Sequence, residues 1–318
     1  MKVYPDGRVE FSGSSIMLDR VARNGEPIVV SHAHADHTVR KGSILASPET
    51  KRLLEVRYKI KNCKGLSYGK PHDINGIRIT LFPSGHILGS AQVLIEDSCT
   101  SLLYSGDIKL RTPSSCAPIE IPHAENLIVE ATFGTHLYQW PRFERILAQI
   151  HKFIEDAQHR GKTPVFLAYS LGKSQELLSI LRDFEVPVSV SKTVFQMSKV
   201  YEEFGVDLGT YTLYEDEEVV PGVLVIPPQK ARHLKLANPR FAVVSGWAIS
   251  RFGGRRTQIS LSDHADFGEL LRYVDKVKPK RVWTTHGYVK ELATALRHRG
   301  YTAQMLEESS DPNLSLQL

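Results

Sequence analysis

The stretch His32-Ala33-His34-Ala35-Asp36-His37 sets three imidazoles and a carboxylate within six residues, directly after the apolar run Ile28-Val29-Val30. Imidazole nitrogen and carboxylate oxygen are the ligands of catalytic zinc, and a solvated loop has no use for so much histidine. The spacing therefore points to metal chemistry. Within one extended turn His32 and His34 can face the same way while Asp36 and His37 lie beyond them, so the four do not all reach one tetrahedral ion. Two cations about 3.5–4 Å apart on a shared loop, as in two-metal hydrolases, are the economical arrangement. It requires further ligands from distant parts of the chain.

The elements that must position such ligands are legible as strands ending in polar residues. Ser15-Ile16-Met17-Leu18 ends at Asp19, and Ile77 to Phe82 alternates like a half-buried strand before Pro83-Ser84-Gly85-His86. A histidine beside glycine at a strand end sits where the backbone approaches something closely. Ala91 to Ile95 and Ser101 to Tyr104 read as paired strands, the second leading into Ser105-Gly106-Asp107, and Leu127-Ile128-Val129 delivers Glu130. Ser47-Pro48-Glu49 starts a helix that runs toward Lys61. After Pro141, Phe143, Ile146, Leu147, Ile150, Phe153, Ile154 and Ala157 recur at helical spacing. Strand and helix then alternate to a buried strand at Phe241 to Ala248. Farther on, Ser262-Asp263-His264-Ala265-Asp266 precedes a helix that Asp266 can cap, and the strand Arg281 to Thr285 ends in His286-Gly287. Strand ends on one edge of a layered fold converge into a shared crevice, which is where separated ligands can meet.

The whole chain has 318 residues, 42% hydrophobic and 24% charged, enough for a large core. No apolar run approaches the roughly 18 residues of a membrane span, and no signal-peptide pattern follows Met1, so a cytoplasmic protein without membrane contact is expected. Cys63, Cys99 and Cys116 are odd in number and widely spaced, which fits neither a disulfide framework nor a cysteine zinc knuckle. The net charge of +5 suits a polyanionic partner. Arg251, Arg255 and Arg256 cluster in a Gly-rich loop and are the expected nucleic-acid contacts. The run Gly172-Lys173-Ser174 after the strand Pro164 to Ala168 invites a nucleotide-binding reading, but a phosphate loop needs glycine at position 167, which is Leu. Lys173 at the start of the helix Gln175 to Phe184 is left as a ligand for one backbone phosphate.

His32-x-His34-x-Asp36-His37 resembles the signature of the metallo-β-lactamase superfamily, and the later motifs resemble its nucleic-acid-cleaving β-CASP branch. The resemblance implies an α/β fold, an αββα sandwich over 1–140 and 246–318, with an α/β β-CASP domain inserted at 141–245. It implies that His32, His34 and His86 hold one divalent cation, that Asp36, His37 and His286 hold another, and that Asp107 bridges them. Asp19 corresponds to an acidic position that orients a ligand loop, as outer carboxylates do for metal-bound histidines. Zinc is the expected ion and manganese the alternative. Two cations sharing a water yield hydroxide at neutral pH, the expected nucleophile. His264 takes the role of general acid, with Glu130 holding its other N–H, and scission leaves a 5′ phosphate and a 3′ hydroxyl.

Within the branch, Glu130-Ala131-Thr132-Phe133-Gly134, the Tyr169 to Gln175 loop and Ser245-Gly246-Trp247 look most like ligase-associated DNA exonucleases and their archaeal relatives resembling RNA 3′-end-processing factors. His286 is shared with RNA-cleaving members, whereas the lack of an N-terminal RNA-binding domain ahead of the core favours DNA. A DNA exonuclease acting in repair, with association with a DNA ligase or helicase, is the leading expectation, and an RNA-processing nuclease the alternative. A small-substrate metallo-hydrolase acting on thioesters or lactams needs neither the insert nor the arginine loop. A metal-free scaffold would not keep every ligand position filled.

Overall fold

The structure, a computed structural model, describes residues 1–11, 13–216, 218–250 and 256–306. The chain divides into two compact units: Met1–Thr112, Cys116–Gln139 and His264–Leu318 form the first, and Pro113–Ser115 with Trp140–Asp263 form the second.

In the first unit, two sheets face each other. One runs in the order Lys2–Val3, Arg8–Phe11, Ser14–Leu18, Ile28–Val29, Ile44–Ala46, Cys63–Gly65. The other runs Thr302–Met305, Arg281–Gly287, Asn126–Ala131, Ser101–Tyr104, Ala91–Glu96, Ile77–Pro83, His72–Ile74. Phe11, Ile16, Leu18 and Val29 of the first sheet pack with Ile79, Leu81, Val93, Leu102 and Ile128 of the second, closing an apolar inter-sheet core. Alternation of side chains along a strand then decides what lies outside. Leu127 and Val129, on either side of Ile128, point the other way and pack with Leu270, Val274, Val277, Leu292 and Leu296. These come from the helices Phe267–Val277 and Val289–His298. With both faces covered, all six residues of Asn126–Ala131 are buried, as expected of a central strand. Helix Pro48–Tyr58 packs beside Ile44–Ala46 and Cys63–Gly65 on the far side, completing the expected αββα order. Ser47 caps it, its Oγ accepting from the Thr50 amide at 3.0 Å, and Lys59 in the left-handed region ends it short of Lys61.

The second unit is a parallel sheet in the order Thr212–Leu213, Val188–Val190, Val223–Ile226, Thr163–Leu167, Pro239–Val244, Thr257–Ile259. Its core includes Val165, Leu167, Leu224 and Ile226. Helices Lys173–Arg182 and Lys192–Glu203 cross over between successive strands, as parallel pairing demands, and Phe143–Gln158 leads into Thr163–Leu167. The amphipathic helix read from the sequence buries Ile146, Ile150, Phe153, Ile154 and Ala157, while Phe143 stays largely exposed. The sequence reading sets the insert at 141–245, and the second compact unit takes in Trp140–Asp263. Strand Thr257–Ile259 adds to Pro239–Val244 by parallel pairing, which keeps 246–263 with the second unit.

No helix among the described residues is long and apolar enough to cross a membrane.

Candidate metal centre

Four strands of the second sheet of the first unit, Ile77–Pro83, Ser101–Tyr104, Asn126–Ala131 and Arg281–Gly287, run in the same direction. Each delivers a polar group at or just past its carboxyl end: His86, Asp107, Glu130 and His286. The loop after Ile28–Val29 supplies His32, His34, Asp36 and His37. Gly106 makes the close approach possible. Its φ is +54°, and a Cβ there would lie 2.9 Å from Ser31 Cβ, beside the loop that starts at His32.

His34 Nδ1 lies 3.1 Å from His32 Nε2 and 3.1 Å from His86 Nε2. Asp107 Oδ2 lies 3.4 Å from His32 Nε2 and 3.6 Å from His86 Nε2. All four donor atoms fall within 4.8 Å of one another. Donors at the corners of a zinc tetrahedron, with bonds near 2.0–2.1 Å, sit about 3.3–3.4 Å apart, so the set has the dimensions of such a shell. A proton can serve only one pair of these atoms, whereas a cation serves all four. Burial and the neighbouring imidazoles hold His32 well below its ordinary pKa, in the neutral form that ligates.

On the other side of Asp107, its Oδ1 lies 3.6 Å from His37 Nε2, which is 3.7 Å from Asp36 Oδ2. Burial opposes a charge on His37, but Asp107, Asp19 and Asp36 surround it and raise its pKa to about 10. A field that binds a proton so firmly also attracts a metal cation. Burial lifts Asp107 to about 7, with Glu130 adding to the shift and His37 opposing it. His286 approaches this second set with its ring centroid 5.2 Å from that of His37, and its Nε2 is 3.1 Å from the Arg20 guanidinium.

Asp19 is buried and touches the histidines without joining them. Its carboxylate accepts from the Ser31 amide at 2.6 Å, Ser31 Oγ at 2.6 Å, Tyr104 Oη at 2.8 Å and His37 Nδ1 at 2.7 Å. With Nδ1–H donated to Asp19, His37 turns Nε2 toward Asp107 and Asp36, where a cation would replace its proton. His32 is oriented the same way, its Nδ1 3.0 Å from Ser31 Oγ. Burial works to raise Asp19, yet His37 and the Ser31 bonds keep its carboxyl below the usual range. Ser31, Tyr104 and Arg20 escaped the sequence reading. Only adjacency to His32 and Asp19 marked the first and last, and Tyr104 is ordinary strand material.

His264 Nδ1 is 3.0 Å from Glu130 Oε2, and its Nε2 is 3.9 Å from Asp107 Oδ2. Burial pushes Glu130 up, but the charge and hydrogen bond of His264 and the Ile108 amide, 2.6 Å from Oε1, hold it below the usual range. An ionised Glu130 takes Nδ1–H and leaves Nε2 to carry the exchangeable proton.

The nucleic-acid contacts read from the sequence fare differently. Arg251 and Arg255 lie outside the described residues. Arg256 is exposed, its guanidinium 5.4 Å from the Phe241 ring centroid. Lys173 needs correction as a phosphate ligand. It is 2% exposed and its Nζ pairs with Asp263 Oδ1 at 2.6 Å, because the helix starts there and turns its first side chain inward.

A model described as the Zn-dependent metallo-hydrolase RNA specificity domain matches residues 253–305. A protein of Opitutus terrae named "Probable DNA ligase" is 38% identical over 297 residues, covering 90% of this chain and 29% of that protein. An endoribonuclease of Aspergillus fumigatus, ysh1, is 27% identical, covering 55% of this chain and 27% of its own length. The chain thus spans less than a third of either curated relative. A crystal structure of a protein of unknown function from Enterococcus faecalis superposes with a TM-score of 0.64 at 14% identity, covering 91% of this chain and 80% of that one, a likeness of fold.

Proposed function

Because the chain belongs to the β-CASP metallo-β-lactamase family, we propose that it hydrolyses phosphodiester bonds of nucleic acid as a metal-dependent nuclease, specifically as a DNA exonuclease in repair. The observation that carries this reading is the convergence of His32, His34, His86 and Asp107 donors within 4.8 Å, with the His264–Glu130 pair at 3.0 Å beside them. When bound there, divalent cations, zinc foremost from the histidine-rich donor set, lower the pKa of a water and offset charge growing on the phosphate.

The remaining work falls to the protein's own groups. Asp107 turns Oδ2 toward His32 and His86 and Oδ1 toward His37, which suits a carboxylate shared between two positions. Asp19, Ser31 and Tyr104 lock the imidazoles of His32 and His37 so that Nε2 faces inward. His264, partly open to solvent, donates its Nε2 proton to the leaving sugar oxygen. Glu130 keeps that imidazole oriented through Nδ1. Scission then leaves a 5′ phosphate and a 3′ hydroxyl.

DNA is favoured because similarity to the Opitutus protein named a probable DNA ligase extends over 90% of this chain, and the same similarity supports the proposal of association with a ligase. The RNA reading draws on the matched RNA specificity domain and on the Aspergillus endoribonuclease, which covers 55% of the chain. Digestion of 5′- and 3′-labelled DNA and RNA, single- and double-stranded, with zinc or manganese decides between them. Stepwise shortening of DNA is expected. Cleavage of RNA alone would transfer the assignment to RNA processing, and turnover of thioesters without either would end the nuclease reading.

A further inference from the structure

Arg20 follows Asp19 at the end of strand Ser14–Leu18, and its half-buried side chain links Asp19, Asp36 and His286. Nη1 donates to the backbone carbonyls of Asp19 at 3.2 Å and Asp36 at 3.3 Å, while Nη2 lies 3.1 Å from His286 Nε2. A guanidinium carries only donors and stays protonated at any accessible pH, so this contact places a lone pair on Nε2 of a neutral imidazole. Thr285 Oγ1, 3.3 Å from His286 Nδ1, is in place to accept the remaining ring proton. The tautomer is therefore the one that ligates a cation through Nε2, but the lone pair is already engaged. One lone pair serves an N–H donor or a metal, not both.

We propose that Arg20 gates the second cation: it holds His286 Nε2 while only the first position is filled, and the second cation binds by displacing the guanidinium from that nitrogen. This rests on Asp36, His37 and His286 being the second position. It follows that the two positions fill in sequence. The first ion meets preformed donors, three of them buried and His34 half-buried. The second must break a charge-assisted hydrogen bond and accept a positive side chain nearby, both of which weaken its binding.

Equilibrium dialysis of metal-free protein against buffered zinc, followed by elemental analysis, tests this without reference to catalysis. Wild type should bind one ion tightly and a second at least about tenfold more weakly. Arg20→Met, which keeps the apolar stem and removes the donors, should leave the first ion unchanged and tighten the second roughly tenfold, about 1.4 kcal/mol. Second-ion binding that is unchanged or weaker in Arg20→Met overturns the gate. His286→Ala separates the two failures. If it loses the second ion while Arg20→Met binds as wild type does, the position stands and the gate falls; if it binds two ions like wild type, both fall. Should Arg20→Met fold poorly, wild type supplies the measurement through its imidazole ¹⁵N resonances. The His286 Nε2 signal, identified by its loss in His286→Ala, should stay at its metal-free position through the first equivalent of zinc and move with the second. Movement with the first equivalent, or none at all, overturns the proposal.

Discussion

The two sides of Asp107 are built to different standards. On the Oδ2 side, His32 and His86 are buried, His34 is half-buried, and every donor is within 4.8 Å of the others. On the Oδ1 side, His37 is buried and locked by Asp19, but the Asp36 side chain is 73% exposed and His286 is engaged by Arg20. The contrast is one of preorganisation. Donors already desolvated and held by packing lose little freedom when an ion arrives, whereas an exposed carboxylate must give up water and motion. On the two-cation reading proposed above, one position is stiff and the other soft, with Asp107 between them.

Substitutions on the two sides should separate accordingly. The largest effect is expected from His34→Ala, which removes the nitrogen central to the stiff position. Cleavage of a labelled oligonucleotide should fall by more than the about 10²–10³-fold typical of one lost oxyanion donor, with bound metal by elemental analysis falling too. Retention of tightly bound zinc in that variant would erase the distinction between the sides. His264→Ala leaves both donor sets intact. It should slow single-turnover cleavage about 10²–10⁴-fold at unchanged metal content, and a wild-type rate would remove His264 from the proton-transfer step. Asp36→Asn strikes the soft side alone. A loss of about 10–100-fold in second-ion affinity, with the first ion retained, is the outcome that sharpens the comparison, and equal weakening of both would break it. The smallest change is expected from Tyr104→Phe, which deletes one of the four hydrogen bonds Asp19 accepts. A cost of about 1 kcal/mol in denaturant unfolding is anticipated, with metal stoichiometry unchanged.

Much of this was open to reading from the chain alone. The ligand types in His32 to His37 and the strands leading to His86, Asp107, Glu130 and His286 are local features, written in periodicity and punctuation. The sandwich with helices outside follows from the same patterns, and the cap at Asp266, which accepts from the Glu269 amide at 2.8 Å, is visible in a few residues. What was misread is non-local. Lys173 looked like a helix-start cation facing a ligand, yet its partner is Asp263, 90 residues away. That Thr257–Ile259 pairs with Pro239–Val244 is equally non-local, since the hydrogen bonds of a sheet edge leave no mark in the sequence of the strand that takes it.

The sequence by itself determined that this protein can bind divalent cations through histidine and carboxylate, because side-chain chemistry and order along a strand end are properties of the chain. Which oxygen of Asp107 faces which imidazoles, and that Arg20 meets His286 across 266 residues, were decided only by the tertiary structure. The reason is that ligand identity is fixed residue by residue, whereas the stiffness of a site depends on burial and on partners that only packing brings within reach.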